Sequence, residues 1–194
     1  MSKIINGDNL TLGTCYYPEH WPKTMWREDL ERMKKTGIEV IRIAEFAWSK
    51  IEPEEGVFTY EFFDEFLDLA DEVGMKVIFC TPTATPPAWL TEKYPEVLNA
   101  RMDGVLLRHG ARRHYNYNSP VYQELSARIT GKSASHYAKR DCIIGWKNAT
   151  GLSKPWLPIL AVIRPSSAGS WTMRSTARWM SFIRRAIPSH SAGS

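Results

Sequence analysis

The sequence predicts an α/β fold built on a parallel sheet. Four short runs rich in β-branched residues alternate with three longer segments of helical periodicity. Helices of that length return the chain to begin a neighbouring strand in the same direction, through right-handed crossovers. The chain has 194 residues and is 43% hydrophobic, enough for one domain with a real core. Four βα units are half of an eight-fold barrel or most of a doubly wound sheet, and periodicity leaves both open.

The elements follow in order. Residues 10–16 (LTLGTCY) read as a short buried strand. Thr24 is placed to N-cap a helix in which Trp26, Leu30 and Met33 recur on one face, and Gly37 supplies a left-handed stop. Residues 39–43 (EVIRI) form the second strand. Thr59 is placed to cap a further helix, with Phe62, Phe66, Leu69, Ala70 and Val73 on its apolar face and Gly74 at its end. Residues 75–80 (MKVIFC) form the third strand, and a long loop with Pro82, Pro86, Pro87 and a turn at Asp103 and Gly104 follows. Ser119 and Pro120 open a helix to about Lys139, with proline at N1 where its missing N–H costs nothing. Residues 142–146 (CIIGW) form the fourth strand.

Composition narrows the function classes. Three cysteines (Cys15, Cys80, Cys142) at wide spacing argue against a disulfide framework or a zinc ribbon and favour a reducing, cytoplasmic setting. The start shows no secretory-signal pattern, and no run of 18 apolar residues suggests a membrane span. Charge divides the chain sharply. Residues 1–141 carry 18 Lys and Arg against 21 Asp and Glu, a net −3, whereas residues 142–194 carry seven basic residues and no acid, a net +7.

In a parallel βα protein, functional side chains gather just past the C-terminal strand ends. That rule selects 16–22 (YYPEHWP), Arg42 and Glu45 in RIAEFAW, the TPTATPPAW segment ending in Trp89, and Arg108, His109, Arg112, Arg113 and His114. Any one of these alone reads as a solvated or structural residue. The Arg/His cluster could also suit phosphate, but it lacks glycine-rich phosphate geometry. Together, carboxylates, arginines and indoles at one end suit a carbohydrate, whose hydroxyls need bidentate partners and whose C–H faces rest on rings.

CYYPEHWP, RIAEFAWSKIEPEEGVFTYEFFD, TPTATPPAWL, RRHYNYNSPVY and IIGW, in this order over residues 12 to 146, resemble the N-terminal part of the glycoside hydrolase family 42 β-galactosidases. The resemblance implies the N-terminal half of a (β/α)8 TIM barrel and hydrolysis of terminal β-galactosides with retention. It implies that Arg113, the second arginine of RRHY, binds galactose and that Arg42 and Glu45 line the pocket near the reactive carbon. The expected partner is a β-galactoside, with neither nucleic acid nor membrane, and family members commonly form homotrimers. No cofactor is expected. The zinc of some relatives needs a cysteine where Asn116 stands, together with others past the fourth strand, so no metal site is expected. A β-1,4-glucanase or xylanase barrel would share the architecture without this density of motifs.

The family's fourth strand runs from Gly-Trp into a segment of the type Q-x-D-N-E, whose last two residues are a substrate-binding amide and the general acid/base. Here Gly145 and Trp146 precede Lys147-Asn148-Ala149-Thr150-Gly151, so Thr150 and Gly151 occupy those two positions. The nucleophilic glutamate belongs to a later strand with no counterpart in this sequence. Residues 147–194 hold Pro155, Pro158, Pro165 and Pro188, isolated tryptophans and one short amphipathic stretch (TARWMSFIRRAI), but no fifth strand–helix unit. The expected organisation is therefore a partial barrel domain over 1–146 and an unmatched basic tail over 147–194, as a reading-frame shift near codon 147 would produce. Such a chain is expected to be inactive and poorly soluble. The alternative is a non-catalytic binding protein that uses the basic tail.

Overall fold

The computed structural model of the chain describes residues 11–110 and 113–147. Four strands, β1 (Leu12–Cys15), β2 (Ile38–Ile43), β3 (Lys76–Cys80) and β4 (Ile143–Lys147), form one parallel sheet in the order β1-β2-β3-β4. Between them run α1 (Lys23–Lys35), α2 (Trp48–Ile51), α3 (Glu61–Val73), α4 (Ala88–Lys93) and α5 (Pro120–His136). The four expected strands and the three long helices between them are all present, and whatever follows β4 lies outside the described residues. The expectations missed α2, α4 and the 3₁₀ turns at Pro18–His20, Pro82–Ala84 and Pro95–Val97. Elements this short carry too few residues for a 3.6-residue period to register.

Strand order decides between the two architectures that periodicity left open. A doubly wound sheet reverses its strand order at a switch point and carries helices on both faces. Here the order is strictly sequential, and α1, α3 and α5 lie side by side. Lys23 and Arg27 of α1 reach Glu65 and Glu72 of α3 (Arg27 to Glu72, 2.6 Å), and His136 and Arg140 reach Asp64 from the far side at 2.9 and 2.8 Å. One layer of helices over a sequential parallel sheet is the wall of a barrel. These exposed ion pairs report the neighbours but contribute little stability.

Burial supplies the adhesion. Trp26 and Leu30 of α1, Phe63, Phe66, Leu67 and Ala70 of α3, and Ile41, Ile43, Val77 and Phe79 of the sheet form one core with Leu125 and Ile129 of α5. The buried stripe of α3 is rotated from the expected one. Phe63 and Leu67 are fully buried, while Phe62, Leu69 and Val73 are only partly so. Phe62 instead turns its ring sideways onto Trp26 of α1, centroids 5.2 Å apart and nearly perpendicular.

Two expected caps are also corrected. Pro22, not Thr24, is the N-cap of α1, and Tyr60, not Thr59, caps α3. Pro22 lacks a capping side chain, but its carbonyl accepts from Met25 N at 3.0 Å, so the helix begins before the threonine. The Thr59 hydroxyl donates instead to Lys50 O at 2.8 Å, tying the loop after α2. The other signals held. Gly37 and Gly74 are left-handed (φ 87° and 73°), and Ser119 caps α5 by accepting from Tyr122 N at 3.4 Å. The last helix ends three residues before the expected Lys139. The first strand, expected to be buried, is exposed at all four residues, because β1 is an edge with a single neighbour among the described residues.

Candidate functional site

The C-terminal strand ends gather charge. Arg42 is the second-last residue of β2, and Glu45 follows two residues after the strand. In an extended chain, residues at odd separation point to opposite faces, which would part this pair. Ala44 breaks the alternation by adopting a left-handed conformation (φ 67°) while fully buried. Glu45 thereby swings onto Arg42, with Oε2 2.7 Å from Nη2. A non-glycine residue held left-handed costs about 1–3 kcal/mol, a strain that concentrates at functional sites.

Tyr17, just past β1, completes the cluster. Its hydroxyl donates to Glu45 Oε2 at 3.0 Å and accepts from Arg42 Nη2 at 3.3 Å. Burial, opposed by the Arg42 contact and reinforced by Glu45, pushes the phenol up to about 12, so it remains a donor at neutral pH. Burial works against the Arg42 charge, but the Tyr17 contact and Glu45 outweigh it and raise the guanidinium above its ordinary value. Arg42 Nε is buried with no hydrogen-bond partner among the described residues. Phe46 lies 5.4 Å from the Tyr17 ring and is largely exposed, a flat apolar surface beside the charged pair. Neither Tyr17 nor Phe46 was singled out from sequence, although both lie within segments that the strand-end rule selects. The end of β3 adds Cys80, whose thiol burial pushes up to about 12, so it is an inert packing group here.

The remaining expected site residues disperse. Arg113 is exposed and left-handed (φ 58°), and its carbonyl accepts from Asn99 Nδ2 at 3.5 Å. Among the described residues, no hydrogen bond or ion pair joins its side chain to Arg42 or Glu45. His109 Nδ1 lies 3.0 Å from Thr91 Oγ1, and buried His114 packs edge-on to His109 and Tyr115. These histidines hold the loop onto the aromatic core. Trp89 donates its indole N–H to Glu52 O at 3.0 Å and Trp146 packs on Phe79, both half-buried, whereas Trp21 is exposed. Arg112, Thr150, Gly151 and the 148–194 tail lie outside the described residues, and so does the question of a frame shift. Among the described residues, no three His, Cys, Asp or Glu side chains converge as a metal site, and no helix is long and apolar enough to cross a membrane.

Glu19, in the 3₁₀ turn after β1, carries a testable liability. Both carboxylate oxygens are buried without a hydrogen-bond partner among the described residues. Burial raises its pKa above the usual 4.5, against smaller opposing effects of its own backbone, His20 and Lys50. A folded-state pKa raised in this way means that the unfolded chain ionises first as pH rises. Stability therefore falls from about pH 4.5 up to the folded-state value. Glu19→Gln should melt higher than the parent at pH 7 and like it below pH 4.5. An equal difference at both pH values in thermal melts would count against this.

A sequential parallel βα wall whose polar residues collect at the C-terminal strand ends is part of a TIM barrel. Comparison with known proteins then gives the family. The glycoside hydrolase family 42 β-galactosidase profile matches residues 15–151. A β-galactosidase of Halorubrum lacusprofundi is 44% identical over 138 residues, covering 71% of this chain and 20% of its own length. One from Thermus thermophilus is 46% identical over 136 residues, covering 70% and 21%. The crystal structure of the β-galactosidase from psychrophilic Marinomonas ef1 superposes with a TM-score of 0.70 at 41% identity, over 76% of this chain and 23% of that one. The chain belongs to the glycoside hydrolase family 42 β-galactosidases. It spans about a fifth of the length of the relatives it matches.

Proposed function

We propose that this chain carries the galactoside-binding half of a family 42 barrel mouth without the means of cleavage. Arg113 would bind the galactose hydroxyls, and Arg42 and Glu45 would line the pocket near the reactive carbon, with Tyr17 fixing their orientation. The observation that carries the reading is the backbone. The two non-glycine residues with positive φ among those described are Ala44, which aims Glu45, and Arg113 itself. Strain of this kind persists where a side chain must be held for a ligand. The absence of turnover follows from Thr150 and Gly151, which stand where the family places the amide and the acid/base. Three free cysteines, two of them buried, suit a reducing cytoplasm.

The test is ligand-observed NMR with galactose and its epimer glucose on the full chain. Galactose should bind and glucose should not. A hydrogen bond to a charged group contributes about 1.5–3 kcal/mol, so Arg113→Ala and Arg42→Ala should each weaken galactose by about 10–100-fold. Equal response to both sugars, or binding indifferent to Arg113→Ala, would overturn the assignment.

A further inference from the structure

A sugar site pairs hydrogen-bonding groups with a flat apolar surface, and the charged pair at the end of β2 has one beside it in the chain. Ala47 N donates to Ala44 O at 3.3 Å, closing a four-residue turn between β2 and α2 with Glu45 and Phe46 at its tip. The left-handed Ala44 that swings Glu45 onto Arg42 therefore orients Phe46 as well. The Thr85 hydroxyl, from the loop after β3, donates to Phe46 O at 3.1 Å and pins the tip. The Phe46 ring lies 5.4 Å from that of Tyr17, tilted by 53°, and 43% of the residue stays exposed. We propose that Phe46 determines specificity: its open face takes the C–H face of the galactose held by Arg42, Glu45 and Arg113, and so discriminates against the 4-epimer. This role deepens the galactoside reading and rests on it.

The shape of the sugar supplies the discrimination. In β-galactose the axial 4-hydroxyl stands on one side of the ring and leaves the hydrogens of carbons 3, 4 and 5 together on the other. In glucose the 4-hydroxyl is equatorial and hydrogen 4 crosses to the opposite side, which breaks the apolar patch. A flat hydrocarbon ring tells the two apart without any hydrogen bond to the 4-hydroxyl. Place selects Phe46 for that ring. Tyr17 donates to Glu45 and accepts from Arg42, and its own ring lies between His20 and Phe46, at 5.6 and 5.4 Å. Among the described phenyl and indole rings past the strand ends, Phe46 is the one both exposed and in contact with this bridging tyrosine. Trp89 and Trp146 are half-buried, and Trp21 is exposed but has no ring contact with Tyr17. The carboxylate and the phenyl ring thus arrive as consecutive residues of one turn, so a single pyranose can meet both, its hydroxyls on the pair and its C–H face on the ring.

Saturation-transfer NMR of methyl β-galactoside on the full chain tests this without any substitution. Hydrogens 3, 4 and 5 should take up more saturation from the protein's aromatic protons than hydrogens 1 and 2. Two variants then identify the ring. Phe46→Leu keeps apolar bulk but no flat face and should weaken the galactoside by about 3–10-fold. Phe46→Trp restores a flat face and should bind more tightly than Phe46→Leu, which separates lost stacking from a damaged turn. If the parent chain binds no galactoside, the galactoside reading fails and this role fails with it. If the galactoside binds and Arg113→Ala weakens it while Phe46→Leu does not, the role of Phe46 alone is overturned. Greatest saturation at hydrogens 1 and 2, or a Phe46→Trp variant no tighter than Phe46→Leu, would overturn it equally.

Discussion

Incubated with an aryl β-galactoside, the 194-residue chain is expected to release no aglycone above the buffer rate. Retaining hydrolysis needs two carboxyl groups about 5–5.5 Å apart, one to attack the anomeric carbon and one to protonate the leaving oxygen. Past Asp141 the sequence contains no Asp or Glu, and Gly151 stands in the proton donor's place. Loss of a general acid alone costs about 10²–10⁴-fold. Glu45 is no substitute. Its Oε2 accepts from Tyr17 and pairs with Arg42, which commits it to receiving hydrogen bonds. The leaving group separates the two defects. A chain lacking only the acid would still cleave a dinitrophenyl galactoside, whose aglycone departs without a proton. A chain lacking the nucleophile as well should cleave neither that substrate nor an alkyl galactoside. Turnover of the alkyl galactoside would refute the expectation outright. Turnover of the dinitrophenyl substrate alone would locate an attacking group within this sequence.

What could be read from sequence follows the range of the forces involved. Strand and helix positions depend on apolar patterning along a dozen residues, and β2, β3, β4, α1, α3 and α5 emerged within a few positions of their observed bounds. Glycine stops at Gly37 and Gly74 and the Ser119 cap are local chemistry and were equally legible. The threonine caps failed because the Pro22 carbonyl starts α1 ahead of Thr24 and the Lys50 carbonyl of α2 takes the Thr59 hydroxyl. The site was half legible. Arg42 and Glu45 were placed correctly at a strand end, but nothing at Ala44 announces a left-handed turn, since alanine normally avoids it. Without that turn the pair could not be predicted to meet, nor Tyr17 to bridge it. Arg113 shows the converse. A motif named its role, yet the geometry leaves its side chain without a link to the pair. Barrel against open sheet was invisible to periodicity because both share it, and it was decided by strand order and a single helical layer.

A large single-residue loss of stability is expected at Arg128, through the carboxylate it pairs with. Glu52 is fully buried at the end of α2, where its carboxylate accepts from Trp48 Nε1 and Gly56 N, both at 2.8 Å, and pairs with Arg128 Nη2 from α5. Arg128 keeps 30% exposure and has a second partner in Glu55 at 3.6 Å. The two partners are therefore unequal. Removing Glu52's charge leaves an arginine that can turn to Glu55 and water. Removing Arg128 strands a carboxylate in the core with only two neutral donors. Breaking a buried pair from that side costs about 3–5 kcal/mol, and the residual solvation around Arg128 places Arg128→Met near the lower limit. The sign of the next step is the sharper test. Adding Glu52→Gln to Arg128→Met removes the stranded charge while keeping an acceptor for the indole, so the double variant should be more stable than Arg128→Met alone, by about 1 kcal/mol or more. Urea midpoints at constant m-value report both steps. If the second substitution lowers the midpoint further, the pair acts as two independent packing groups and the buried charge is not what destabilises the single variant.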